Sequence, residues 1–241
     1  MGDNMRQSQI ECFKKCPRQY KYRYVDRIEV DTKYRANDGR IVGTAVHLMF
    51  ERDLSTAIKY YRSVYGYTSV YHEAEIHKFK IIDKWVNDFK KDLTNPLHEV
   101  NFSVGDWTGT ADLIDNNKLY DYKYSNNVDS YLATPQLHLY AYFLRQMGYI
   151  INEMYFVFIP KTFIRRRKDE TENEFLDRLD AELGGKGLNI IEVKYDQSKV
   201  DEALCVAEDI AMECDFSPKP SKLCDYCEYK EMCKNDIDIV I

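Results

Sequence analysis

The chain contains no run of about 18 apolar residues, the length a membrane-spanning helix requires, so no membrane partner is expected. Its opening residues, Met1 to Arg6, are polar and lack the apolar region of a signal peptide, which predicts a cytoplasmic location. Internal repeats, low-complexity tracts and long linkers are missing, as is a GxxxxGK[ST] phosphate-binding loop, so any motor work must come from a partner. Positive charge is not in excess either: 34 Lys and Arg stand against 40 Asp and Glu, a net charge of -6. That balance argues mildly against a nucleic-acid-binding protein, which usually carries a basic footprint.

With 241 residues, 44% of them hydrophobic, the chain is long enough for one globular domain with an ample core. Apolar spacing at three and four residues predicts helices over about 40–61 and 72–93. Strands follow over roughly 98–104, 107–115 and 118–124, with a turn at Asn116-Asn117. Ser8 is placed to cap a helix running to about Lys15, and Thr134-Pro135 to open another that stops near Gly148. A strand over 152–159, a helix over 170–183, a strand over 189–193 and a helix capped at Ser198 complete the reading. Helices flanking contiguous central strands predict a mixed α/β (α+β) fold. A helical region over about 8–94, a sheet core over about 98–195 and a cysteine-rich C-terminal part over about 198–241 together make one domain.

The hairpin carries the chemistry. Asp112 lies on its first strand, and Asp121 and Lys123 lie two residues apart on the second, hence on one face. Strand pairing can bring the three together. Two carboxylates and an ammonium suit metal-assisted hydrolysis of a phosphodiester, the carboxylates holding a hard divalent cation. Such pairs also occur on solvated strands of a chain that is 31% charged, so the context decides. Two basic runs, from Lys14 to Arg27 and Arg165-Arg166-Arg167-Lys168, suit solvated faces or loops.

Seven cysteines in a reducing compartment point to metal ligation more than to disulfides. Cys224, Cys227 and Cys233 cluster after Pro218 and Pro220 and supply three ligands of a four-thiolate site. Cys16 is the foremost candidate for the fourth ligand, Cys12 the second. For Cys205 and Cys214, on or at the end of an amphipathic helix, core packing or simple exposure is expected. Iron–sulfur cluster and zinc both take four thiolates and stay open here. Ligands from both ends would tie the N-terminal segment to the C-terminal tail.

These pieces resemble a family. Ser8-x3-Cys12-Phe13-x2-Cys16-Pro17-x2-Tyr20, Gly43-Thr44-Ala45-Val46-His47-x3-Glu51, Gly109-Thr110-Ala111-Asp112, Asp121-Tyr122-Lys123, Gln136-x3-Tyr140 and the C-terminal cysteines stand in the order found in RecB-type nucleases of the PD-(D/E)XK superfamily. The branch resembled is the one with a 4Fe-4S cluster, which includes AddB-type and CRISPR-associated RecB-like exonucleases. The resemblance implies a restriction-endonuclease-like core and Mg²⁺ or Mn²⁺ held by His47, Asp112, Asp121 and the Tyr122 carbonyl. It also implies Lys123 near the attacking water, and Gln136 and Tyr140 holding DNA or the lysine. Cys16, Cys224, Cys227 and Cys233 would hold the cluster, with zinc as the alternative. A metal-dependent DNA exonuclease is therefore expected, acting on single-stranded DNA or free ends in recombination, repair or mobile-element processing, with a helicase or recombinase as possible partner. Alternatives are a catalytically silent nucleic-acid-binding module and a structural four-cysteine zinc protein. RNA as substrate, and the oligomeric state, are left open. The remaining histidines, His72, His77, His98 and His138, are read as structural, and most of the 20 tyrosines as packing groups.

Overall fold

The computed structural model describes residues 4–30, 38–65, 69–212 and 215–238. Cys214 lies outside them. The chain divides into two compact units. One is drawn from Met1–Lys33, Ser103–Gly109 and Asp196–Ile241, the other from Tyr34–Phe102 and Thr110–Tyr195.

The larger unit holds the helices α3 (Gly39–Glu51), α4 (Leu54–Val64) and α5 (Val70–Lys91), with α6 (Val128–Leu132), α7 (Gln136–Gln146) and α8 (Glu172–Gly184) further along the chain. The strands are β1 (Pro96–Val104), β2 (Trp107–Asp115), β3 (Lys118–Tyr124), β4 (Glu153–Ile159) and β5 (Asn189–Glu192), in the sheet order β1-β2-β3-β4-β5. β2 and β3 pair antiparallel, β3 and β4 parallel through the crossover α6–α7, and β4 and β5 antiparallel. This is the expected mixed α/β fold, a central five-stranded mixed sheet flanked by helices.

The predicted helix over 40–61 is two helices. Arg52 leaves the helical region at φ -123° and ψ -102°, and the Asp53 side chain caps α4 by accepting from the Thr56 N–H at 2.7 Å. Lys90 of α5 satisfies carbonyls at the end of α3, donating to Met49 O at 2.6 Å and Arg52 O at 2.9 Å. Three cap assignments also move. Arg6 precedes α1 (Gln7–Lys15) where Ser8 was expected, and Pro135 rather than Thr134 precedes α7. Asp196, not Ser198, opens α9 (Gln197–Met212), accepting from the Ser198 N–H at 2.9 Å.

The core of the larger unit lies between α3, α4, α5 and one face of the sheet. Val42, Val46, Met49 and Phe50 of α3 and Phe79 and Val86 of α5 are fully buried there, with Leu113 of β2 and Val157 of β4. Tyrosines do much of this packing. Tyr122 stacks on Phe50 with centroids 4.0 Å apart, Tyr120 on Tyr155 at 5.1 Å, and Tyr61 is wholly buried. Glu75 and Lys78 are buried as a pair, Nζ to Oε1 at 2.7 Å, so neither charge is left uncompensated.

In the smaller unit, Met5 forms a bridge with Trp107, and α1 packs against α9 around Ile10, Cys12, Tyr20 and Ile210. A short helix (Pro17–Tyr20) runs into a π-helical turn (Lys21–Val25). The C-terminal segment, with a 3-10 turn over Lys222–Tyr226 and α10 (Lys230–Asp238), meets this region. The Arg18 guanidinium donates to Phe216 O at 2.8 Å, Arg23 pairs with Glu228, and the Tyr229 hydroxyl donates to Ile28 O at 3.2 Å. Both ends of the chain thus share one compact body.

Candidate active site

All the catalytic-type residues singled out in the sequence fall in the larger unit. The hairpin pairing runs from Asp115 with Lys118 to Leu113 with Tyr120, and Asp112 and Asp121 follow just past its end. The two carboxylates are close enough for the Asp121 charge to act on Asp112. Asp112 Oδ2 accepts from the Tyr122 N–H at 2.7 Å. Asp121 is 1% exposed. Its Oδ2 meets the Lys123 ammonium at 2.6 Å and its Oδ1 accepts from the Gln136 amide at 2.8 Å. That amide also reaches the Tyr140 hydroxyl, one turn along α7, at 3.4 Å.

His47 arrives from α3, whose buried stripe of Val42, Ala45, Val46, Met49 and Phe50 is packed into the core and leaves the imidazole at its edge. Nε2 lies 3.0 Å from the Tyr122 carbonyl oxygen. A carbonyl can only accept, so Nε2 carries the proton and Nδ1 presents its lone pair. Nδ1 is 3.6 Å from Asp112 Oδ1. Burial lowers the imidazole pKa against the opposing pull of Asp121, so the ring is neutral, the form that ligates metals. The Tyr122 carbonyl, expected as a metal ligand, lies at this edge of the site beside His47.

A third group joins them that the sequence reading did not single out. One ligand atom each from His47, Glu99 and Asp112 lies within 4.8 Å of the others. Glu99 stands on β1 in the left-handed region, φ 51°, a conformation a non-glycine residue rarely adopts. No glycine marks the position, and as an exposed strand residue it gives no signal in the sequence. Asp121 lies beside this group and is held by Lys123. His72, His77, His98 and His138 take no part: His77 pairs with Asp180 and His72 bonds to Ser69, each at 2.9 Å.

Electrostatics single out the centre. Burial, then the neighbouring Asp121 charge, hold the Asp112 pKa well above the carboxylate range. Burial disfavours the Lys123 ammonium, but Asp121 and Asp112 outweigh it and raise its pKa, so it is a fixed cation. Burial, followed by Glu51, raises Glu99, and burial followed by Asp121 pushes Tyr140 up to about 12. One imidazole nitrogen and two carboxylates, with negative charge in excess, suit a divalent cation such as Mg²⁺ or Mn²⁺, the imidazole favouring Mn²⁺. The donor set fits such an ion.

In the smaller unit, Cys16, Cys224, Cys227 and Cys233 line one cavity of about 560 Å³. Cys16 Sγ accepts from the Lys219 N–H at 3.5 Å and Cys224 Sγ from the Ser221 N–H at 3.3 Å. Cys12, the second candidate, is instead buried in the apolar cluster of α1 and α9, and burial pushes its thiol up to about 11. Cys205 is exposed on α9.

Residues 5–234 match the family model described as the PD-(D/E)XK nuclease superfamily. Among solved structures, the chain is similar to a candidate exonuclease from Eubacterium rectale, at 17% identity and a TM-score of 0.61. That match covers 94% of this chain and 88% of the other. A phage-related exonuclease from Haemophilus somnus aligns at 11% identity over 98% of this chain and 97% of its own, with a TM-score of 0.42. No curated protein matches the sequence.

The raised Asp112 pKa has a consequence for stability. A carboxyl whose folded pKa lies above its unfolded value favours folding below the unfolded pKa, and that contribution is lost as pH rises through the folded pKa. In EDTA at neutral pH, Asp112→Asn therefore melts at a higher temperature than the parent, and the difference vanishes in acid. Thermal melts against pH check this. A variant less stable than the parent at neutral pH contradicts it.

Proposed function

The chain belongs to the PD-(D/E)XK nuclease superfamily, and from that premise we propose that it is a divalent-metal-dependent DNA exonuclease of the RecB-like and AddB-type branch. The observation that carries this reading is the meeting of the His47, Glu99 and Asp112 donors within 4.8 Å, beside the Asp121–Lys123 pair. The Eubacterium rectale protein of similar fold, described as a candidate exonuclease, points the same way.

His47, Glu99 and Asp112, with Asp121 adjoining, would hold Mg²⁺ or Mn²⁺. The ion supplies Lewis acidity toward a phosphoryl oxygen and toward water. The residues of the chain do the rest. The Tyr122 N–H holds Asp112 in place and the Tyr122 carbonyl fixes the His47 tautomer. Lys123, kept charged by Asp121 and Asp112, offsets charge that develops on the phosphoryl group and orients the attacking water. A lysine with a raised pKa acts here as a positioned cation, not as the proton acceptor. Gln136 holds Asp121 by one oxygen and so leaves the other to Lys123. Tyr140, protonated, lies next to the Gln136 amide.

We extend the proposal to the cysteines. The common cavity of Cys16, Cys224, Cys227 and Cys233 and the N–H groups donating to two of the sulfurs support a thiolate-held metal centre, for which a 4Fe-4S cluster is proposed, with zinc as the alternative. The cluster would join the two chain ends within the smaller unit, and residues 1–241 would work as one nuclease domain. Recombination, repair or mobile-element DNA processing is the setting proposed, with unwinding left to a helicase partner and single-stranded DNA or free ends as substrate.

Degradation of end-labelled linear DNA in Mn²⁺, Mg²⁺ and EDTA, with circular controls, tests the reading. Linear DNA is expected to disappear with either metal and persist in EDTA, and Asp112→Ala and Lys123→Met each slow the reaction about a hundred-fold or more. Cleavage by Lys123→Met at the parent's rate overturns the mechanism, and cleavage of circles makes the enzyme an endonuclease. Iron and sulfide in stoichiometric amounts, lost in Cys227→Ala together with stability, are expected for the cysteine site. Zinc without iron would refute the cluster.

A further inference from the structure

The segment from Pro160 to Glu170, between β4 and α8, is a loop fixed at both ends. It leaves the sheet beside the catalytic strand, because Lys123 of β3 is in register with Phe158 of β4. At its start the Ser125 N–H donates to Ile159 O at 3.1 Å. Asn126, three residues past Lys123, then clasps Lys161, accepting from its N–H at 2.7 Å and donating to its carbonyl at 3.0 Å. At its far end the Arg178 guanidinium binds both Glu170 oxygens at 2.7 Å and donates to Arg165 O at 2.8 Å. Glu170 also accepts from the Arg167 N–H at 2.8 Å, and its carbonyl accepts from Arg166 at 2.8 Å.

Between these anchors the side chains alternate. Thr162 is buried, and Ile164 packs with Ala74, Phe175 and Leu179. The residues between them turn outward. Phe163 is 74% exposed and Arg165 is exposed, while Lys161 rests its ammonium over the Tyr124 ring at 4.8 Å. Among the described residues no carboxylate forms an ion pair with Lys161, Arg165, Arg167 or Lys168. Glu170 is committed to Arg178, which together with the Arg167 N–H lowers its pKa to about 2. Of the loop's acids only exposed Asp169 is uncommitted. On a chain with a net charge of -6, this is a concentrated positive strip, anchored at both ends, with an aromatic ring in its midst.

We propose that the loop from Lys161 to Lys168 is the surface on which a single strand of the DNA substrate lies. Phe163 stacks on an unpaired base, and Lys161, Arg165, Arg167 and Lys168 take the phosphates on either side. Over 161–165, where buried and outward residues alternate, the outward side chains of an extended segment stand about 7 Å apart, a step comparable to that between phosphates of a stretched single strand, while Arg167 and Lys168 lie at the turn that the Glu170 N–H closes on Arg167 O at 3.3 Å. A ring flanked by cations at that spacing is the pattern of single-strand binding, in which stacking is indifferent to sequence and the phosphates supply a salt-dependent attraction. A duplex offers phosphates but no free base face. Phe163 therefore confers a preference for single strands, and the cations serve both forms. The assignment rests on the nuclease reading above and adds the residues that hold the strand.

Fluorescence anisotropy with a labelled oligothymidylate and a blunt duplex, in EDTA so that nothing is cut, tests it. Phe163→Ala is expected to weaken single-strand binding about ten-fold or more and to leave duplex binding unchanged, while Phe163→Trp retains single-strand affinity. The triple variant Arg165→Gln/Arg167→Gln/Lys168→Gln weakens both and reduces the salt slope for single strands by about 2. All these side chains are exposed, and unchanged melting temperatures verify the fold. If the variants bind like the parent while the parent still degrades DNA, the loop is not the binding surface and the nuclease reading stands. An equal loss on strand and duplex in Phe163→Ala refutes stacking. A parent that neither binds nor degrades DNA overturns both proposals.

Discussion

Two neighbouring carboxylates on adjacent strands, Asp121 buried and Asp112 half-buried, are the constraint on which the rest of this protein turns. Left alone, Asp112 and Asp121 would repel each other in a medium that disfavours either charge. Lys123 answers one of them at 2.6 Å. The other has a backbone N–H and no cation of its own, and its pKa is correspondingly raised. The fold thus carries a site with negative charge in excess beside His47 and Glu99, a donor set that suits a divalent cation.

One residue organises this arrangement through three of its groups. The Tyr122 N–H holds Asp112, its carbonyl holds His47, and its ring stacks on Phe50 of α3. The last contact ties the helix that carries the imidazole to the strand that carries Asp121 and Lys123. Period-two alternation makes this possible, since the Tyr122 ring points into the core while its neighbours point to the face of α7. Packing and ligand geometry are therefore one problem here, and a change at the Tyr122 ring disturbs both.

Much of this was legible in the residues. The hairpin follows from alternation and from Asn116-Asn117, where Asn116 adopts φ 55°, and Asp121 and Lys123 share a face for the reason that made them conspicuous. The five-stranded sheet and its flanking helices follow from apolar periodicity. What escaped depends on long-range contacts or local backbone. The break at Arg52 was hidden by apolar spacing that continues past it, although Asp53 with Thr56 three residues on is a cap signal. Asp196 took the capping role from Ser198 because its carboxylate reaches both the Ser198 N–H and hydroxyl. Glu99 was beyond reach, because its place depends on a left-handed backbone that no glycine announces.

The central claim is that His47, Glu99 and Asp112 form one cation site. Titration of the protein with Mn²⁺, followed by electron paramagnetic resonance, tests it without any substrate. The parent is expected to bind Mn²⁺ more tightly as pH rises, because Asp112, whose pKa is raised, must give up its proton first. His47→Ala, Glu99→Gln and Asp112→Asn should each weaken binding about ten-fold or more, by analogy with the loss of a ligand or its supporting group. Undiminished binding by Glu99→Gln and Asp112→Asn would contradict the account, because the ion would then be held elsewhere.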